Sequence, residues 1–102
     1  MNAQEMAKLI ETKILTQAGL KSAQDLVSRT SKDSAYLAEH QAALIAAQAR
    51  WDSEAPVREA REKLEKAGWR RSDYDPRKWF NRKTTKVKVS LIAAIRESGL
   101  AQ

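Results

Sequence analysis

The sequence predicts an all-α chain: a compact single-domain bundle of five or six helices with a long alanine-rich central helix. Three observations carry that reading. Each of the three glycines follows a run with helical spacing and precedes an apolar residue, in Ala18-Gly19-Leu20, Ala67-Gly68-Trp69 and Ser98-Gly99-Leu100. Apolar side chains recur at three- and four-residue spacing along most of the chain. Only one stretch, residues 84–89, alternates in strand fashion, and no second strand is evident to pair with it. A length of 102 residues suits one domain with a modest core.

The elements follow in order. Asn2-x-x-Glu5 reads as a capping box, the asparagine accepting from first-turn amides and the glutamate reaching back. The first helix then runs to about Ala18, with Met6, Leu9, Ile10 and Ile14 on its apolar face. Glycine just past a helix end takes the left-handed conformation, and the apolar residue after it packs back on the last turn. That rule sets Leu20 on Leu15, Trp69 on Leu64 and Leu100 on Ile95.

Ser22 is read as opening a short second helix bearing Ala23, Leu26 and Val27. The polar cluster 29–33 ends it and supplies caps for a third helix over 33–52. Alanine favours that helix intrinsically. The row Ala35, Ala38, Ala42, Ala46 and Ala49 leaves a thin face for close approach of another helix, from the same chain or from a second copy in a homodimer. Asp52 or Ser53 caps a fourth helix with Pro56 in its first turn and Val57, Ala60, Leu64 and Ala67 as its stripe. Asp75-Pro76 has the residue types of an N-cap and N1 pair, which predicts a short helix over 76–82. For the remainder, one helix from Thr85 to Ser98 is favoured over a strand at 84–89.

Charge divides the chain into a near-neutral half, 1–53, and a basic half, 54–102. Of a net charge of +6, residues 1–54 contribute six Lys/Arg against seven Asp/Glu, and residues 55–102 thirteen against six. Such asymmetry points to nucleic acid or another polyanion. The absence of cysteine excludes disulfides, thiolate ligands and cysteine nucleophiles, and fits a reducing compartment. The first residues lack the pattern of a signal peptide, and no apolar run reaches the ~20 residues a bilayer span needs. The expectation is a cytoplasmic protein with no membrane partner.

No catalytic constellation is legible. The single histidine, His40, sits beside Glu39 with no HExxH, paired acidic or Cys/His spacing around it. Serines are scattered without GxSxG, and the three glycines are already assigned as helix stops. The sequence predicts no enzyme, no metal and no cofactor.

Function concentrates in residues 69–88, where four of the six aromatics lie among eight basic residues. Cations displace counterions from phosphates while flat rings stack on bases, so nucleic-acid binding draws on both types together. The candidate binding residues are Arg70, Arg71, Arg77, Lys78, Trp79, Arg82, Lys83, Lys86 and Lys88. Trp79 and Phe80 also suit docking of a short helix onto the core. A helix-turn-helix reading of 54–67 and 76–82 is a poor match, since the connection is longer than a tight turn. The expected function is a nucleic-acid-binding accessory or regulatory protein, DNA or RNA. The alternative is a protein-binding adaptor or small inhibitor of a host machine that uses the same basic surface on an acidic partner.

Overall fold

The computed structural model describes residues 1–84 and 89–102. Among them are α1 (Ala3–Glu11), α2 (Gln17–Arg29), α3 (Leu37–Ser53), α4 (Ala55–Lys66), β1 (Trp69–Arg71), β2 (Trp79–Asn81) and α5 (Leu91–Glu97). The chain is mostly helical, as expected, but a two-stranded sheet makes it not strictly all-α. No helix among the described residues is long and apolar enough to cross a membrane. The residues group into two compact units, Lys13–Ala55 and Met1–Thr12 with Pro56–Gln102.

The first unit is a helical hairpin. Gly19 does not end a helix: it lies in the first turn of α2, where its N–H donates to the Thr16 hydroxyl at 3.0 Å. Thr16 is the N-cap, so α2 starts before Ser22. The first helix has already stopped by then, at Thr12, whose backbone turns to the extended region. A Cβ on Gly19 would lie 3.1 Å from Leu15 Cδ1, so the small residue accommodates the link rather than a left-handed stop.

α2 packs on α3. Their shielded positions are Leu20, Ala23, Val27 and Thr30 on one side and Leu37, His40, Leu44, Ala47 and Trp51 on the other. This alternating three- and four-residue spacing is that of a coiled-coil seam. The alanine row singled out by the sequence lies elsewhere, because Ala35, Ala38, Ala42, Ala46 and Ala49 are all exposed. Polar contacts close both ends of the hairpin. Thr30 Oγ1 donates to Leu26 O at 2.6 Å and lies 3.0 Å from His40 Nδ1, with Tyr36 stacked on the imidazole. At the other end Glu54 Oε1 accepts from Leu15 N at 2.9 Å, while Oε2 lies 3.3 Å from Arg50 Nε.

The second unit holds the larger core. α1 contributes Ala3, Met6, Ala7 and Ile10, α4 contributes Ala60 and Leu64, and α5 contributes Leu91, Ala94 and Ile95, with Trp69 and Trp79 among them. The asparagine half of the expected capping box forms, with Asn2 Oδ1 accepting from Glu5 N at 2.8 Å. Its last carbonyls are met from α4: Arg61 Nε donates to Ile10 O at 2.9 Å and Nη2 to Thr12 O at 2.6 Å.

Gly68 and Gly99 are the helix stops expected, at φ +99° and +69°. At Gly99 both Schellman bonds form, from Gly99 N to Arg96 O and from Leu100 N to Ile95 O. At Gly68 the chain instead passes from the Gly68 N–Glu65 O bond directly into β1.

The sheet replaces the short helix predicted at 76–82. Asp75 does cap a local structure, but it is a turn: Arg77 N donates to Asp75 Oδ1 at 3.1 Å and Lys78 N to Asp75 O at 2.9 Å. The chain then runs back antiparallel to β1, pairing Trp69 with Asn81, Arg70 with Phe80 and Arg71 with Trp79. Bonds from Ser72 N to Lys78 O and from Arg82 N to Gly68 O extend the ladder at each end. On its other side Trp79 exchanges both backbone bonds with Val89. β2 is thus satisfied from two directions, which a seven-residue helix with an exposed surround would not match. The helix expected from Thr85 is also shorter: Ser90 is its N-cap, accepting from Ala93 N at 3.2 Å, and Val89 is paired as a strand. Residues 85–88 of that expectation lie outside the described residues.

Asn81, 5% exposed, ties this sheet to α4. Its Nδ2 donates to Ala67 O at 3.0 Å, and its Oδ1 accepts from Lys83 N and Thr84 N. A Cβ on Gly68 would lie 2.6 Å from that Oδ1, whereas one on Gly99 would meet nothing within 4 Å. Gly99→Ala therefore costs only the left-handed penalty, about 1–2 kcal/mol. Gly68→Ala must in addition displace Asn81 and should lower stability by clearly more. Equal losses in urea unfolding would show that the Gly68–Asn81 approach is not a constraint.

Candidate functional site

Strand alternation divides the basic and aromatic segment into two faces. Trp69, Arg71, Trp79 and Asn81 share the inner face, where Trp69 and Trp79 enter the core. Arg70 and Phe80 are paired on the outer face. Lys78 and Arg82, two residues to either side of Phe80, continue that face, and the Arg82 guanidinium lies 5.9 Å from the Phe80 ring centroid. Lys78 and Arg82 are exposed and Phe80 is half-buried. One aromatic ring flanked by cations is therefore presented on the side of the ribbon away from the core.

The nine residues expected to bind divide by their contacts. Trp79 is 8% exposed and is a core residue. Arg71 lies 5.2 Å from the Trp79 ring centroid and pairs with Glu11 at 2.9 Å. Arg70 folds along the β1 edge, its Nη1 donating to Trp69 O at 2.8 Å and Glu65 O at 3.0 Å. Lys83 Nζ donates to Lys66 O at 2.6 Å near the end of α4. Carbonyl bonds leave the charge of Arg70 and Lys83 uncompensated, whereas Glu11 offsets that of Arg71. Lys86 and Lys88 lie outside the described residues. The ladder thus sets Lys78 and Arg82 to either side of Phe80 with Arg70 paired across from it, brings the Arg82 guanidinium to the ring, and places Arg77 in the loop joining the strands.

That loop also holds Tyr74, one of the four aromatics of residues 69–88 but not one of the nine expected binding residues. Tyr74 is 99% exposed, between Asp73 and Asp75. Its signals in the sequence are membership of that aromatic and basic cluster and the loop composition around it, an aromatic next to Asp and Pro with no apolar partner in register. Arg77, its side chain 89% exposed, lies 3.5 Å from Asp75. Among the described residues no three His, Cys, Asp or Glu side chains cluster as metal ligands. His40, bonded to Thr30, belongs to the helical hairpin.

Comparison with protein-family models, with curated proteins and with solved structures finds no match to this chain.

The Arg77 backbone N–H, reinforced by the Arg77 and Lys78 charges, holds the Asp75 carboxyl below the ordinary aspartate range. A depressed folded value means that the turn favours the folded ribbon above the unfolded aspartate pKa. That contribution is lost as pH falls through the lower folded value. A carbon-detected carboxyl titration should place the Asp75 midpoint below about 3.9. Arg77→Gln should raise it only partway, because the backbone donor remains. A midpoint at or above the ordinary value would contradict the turn.

Proposed function

We propose that this chain is a non-enzymatic nucleic-acid-binding protein that grips phosphates with the outer face of its β-ribbon. The observation that carries the reading is the placement of exposed Lys78 and Arg82 to either side of the half-buried Phe80, with Arg70 paired across from it. Cations at strand spacing along a narrow ribbon suit a phosphate backbone, and a two-stranded ribbon is narrow enough for the major groove. Tyr74 and Arg77 at the ribbon's loop extend the surface with a ring free to stack and a cation beside it. As an accessory or regulatory factor such a protein needs no catalytic group.

A second reading has one observation of its own. The same loop carries Asp73 and Asp75, which repel phosphate, around an exposed tyrosine and an arginine. Tyr and Arg dominate protein hot spots, so the loop also suits a protein-binding adaptor or inhibitor.

Fluorescence anisotropy against duplex DNA, single-stranded DNA and RNA separates the two. Nucleic-acid binding should weaken with salt at a log–log slope of about −0.9 per duplex phosphate contact. Lys78→Glu with Arg82→Glu should lower affinity by about tenfold or more, while Lys21→Glu with Lys32→Glu, in the helical hairpin, should have a far smaller effect. Tyr74→Ala should weaken single-strand binding preferentially if its ring stacks on bases. Equal affinity in both double variants, or no binding at low salt, would transfer the loop to the protein-partner reading.

A further inference from the structure

Beside β1, a half-open cavity of about 310 Å³ is lined by three guanidinium-bearing side chains, Arg61, Arg70 and Arg71, together with Trp69 and Trp79. The arginines approach from different elements. Arg61 comes from α4, and Arg70 and Arg71 are successive residues of β1, so alternation sends them to opposite faces of that strand. Each is anchored by part of its fork: Arg61 through Nε and Nη2 to the end of α1, Arg70 through Nη1 to two carbonyls, Arg71 through Nη2 to Glu11. A guanidinium carries five N–H donors, so each anchored side chain keeps several for a ligand. Anchoring also fixes the forks in place, which lowers the ordering cost of binding.

A second observation concerns a residue of the same lining. The indole Nε1 of Trp79 is buried and has no hydrogen-bond acceptor among the described residues. Burying an indole N–H without an acceptor carries a desolvation cost that native proteins rarely leave uncompensated. Trp69, the other indole lining the cavity, has its acceptor in Ser98 Oγ at 2.6 Å. The orphan donor therefore belongs to Trp79 alone of these two.

We propose that this cavity binds a phosphomonoester, its oxygens accepting from the three guanidinium forks and from Trp79 Nε1. A planar carboxylate is saturated by a single fork, whereas a tetrahedral phosphoryl group presents acceptors in several directions. Glu11 pairs with Arg71 and Glu65 is a further lining residue, so three arginines against two carboxylates leave the surroundings of the cavity with a net positive charge. A volume of 310 Å³ exceeds a bare phosphate and sits at the lower end of small-molecule sites, leaving room for the first sugar or a comparable group against the indoles. The phosphoryl group can come from a small phosphorylated molecule or from the 5′ end of a strand. Arg70 serves both readings, whereas Lys78, Arg82 and Phe80 take no part in the cavity and Arg61, Arg71 and Trp79 take none in the outer face, so the two readings fail in different variants.

The test is the indole region of a proton–nitrogen correlation spectrum, titrated with inorganic phosphate against chloride at matched ionic strength. Trp79→Phe identifies the Trp79 resonance. In the unsubstituted protein that resonance should shift saturably with phosphate and not with chloride, while Trp69 moves little. Arg70→Gln and Arg71→Gln should each weaken the phosphate response by about tenfold. Anisotropy with 5′-phosphorylated and 5′-hydroxyl oligonucleotides then assigns the source. Tighter binding of the phosphorylated strand identifies a strand end, and equal binding with the phosphate shift retained identifies a small phosphorylated molecule. No saturable shift, the same shift with chloride, or an unchanged response in both arginine variants would overturn the site.

Discussion

Trp79 sits at the junction of everything in the larger unit. Its backbone N–H and C=O both bond to Val89, its cross-strand neighbour is Arg71, and its ring lies in the core with Leu64, Trp69 and Ile95. Because it is held as a strand residue, the next side chain, Phe80, must face the other way. On a helix the two rings would lie about 100° apart and dock together on one side. The choice of strand over helix at this one position therefore creates the outer face and turns Lys78 and Arg82 toward it.

What favours the strand is the number of neighbours that agree with it. Pro76 fixes the backbone of a turn already drawn tight by two hydrogen bonds to Asp75. Gly68, in its left-handed conformation, redirects the chain from α4 so that Trp69 can begin β1. Asn81 then closes the far end by bonding the last turn of α4 and the residues that follow β2. Local geometry, core burial and polar satisfaction select the same register.

Much of this architecture was legible in the residues. Asn2 as a cap, the Val57, Ala60 and Leu64 stripe of α4, and the stops at Gly68 and Gly99 follow from local rules that tertiary structure does not disturb. Gly19 obeyed the same pattern and misled, because Thr12 and Thr16 had already ended one helix and begun the next. The alanine row in α3 is the more conspicuous by composition, but the seam with α2 is carried by the spacing of Leu37, His40, Leu44, Ala47 and Trp51. Asp75-Pro76 has the residue types of a helix start and serves a turn. Strand pairing is a non-local property, so Trp69-Arg70-Arg71 could be seen as a partner only once its mate was known. The cations of the candidate site were visible from charge alone. Which of them carbonyls and Glu11 would anchor, and which would surround Phe80, depended on that pairing.

The register itself is the most direct point of test. Trp69–Asn81 and Arg71–Trp79 face each other between the hydrogen-bonded positions of the ladder, where α-protons of opposing residues approach most closely. Nuclear Overhauser spectroscopy of the intact chain should show strong Hα–Hα contacts for both pairs, with slow amide exchange at Trp79 and Val89. An unbroken series of sequential amide–amide contacts from Arg77 to Arg82, without those cross-strand contacts, would mean a helix there. It would place Trp79 and Phe80 on one side and contradict the two-faced ribbon on which the account rests.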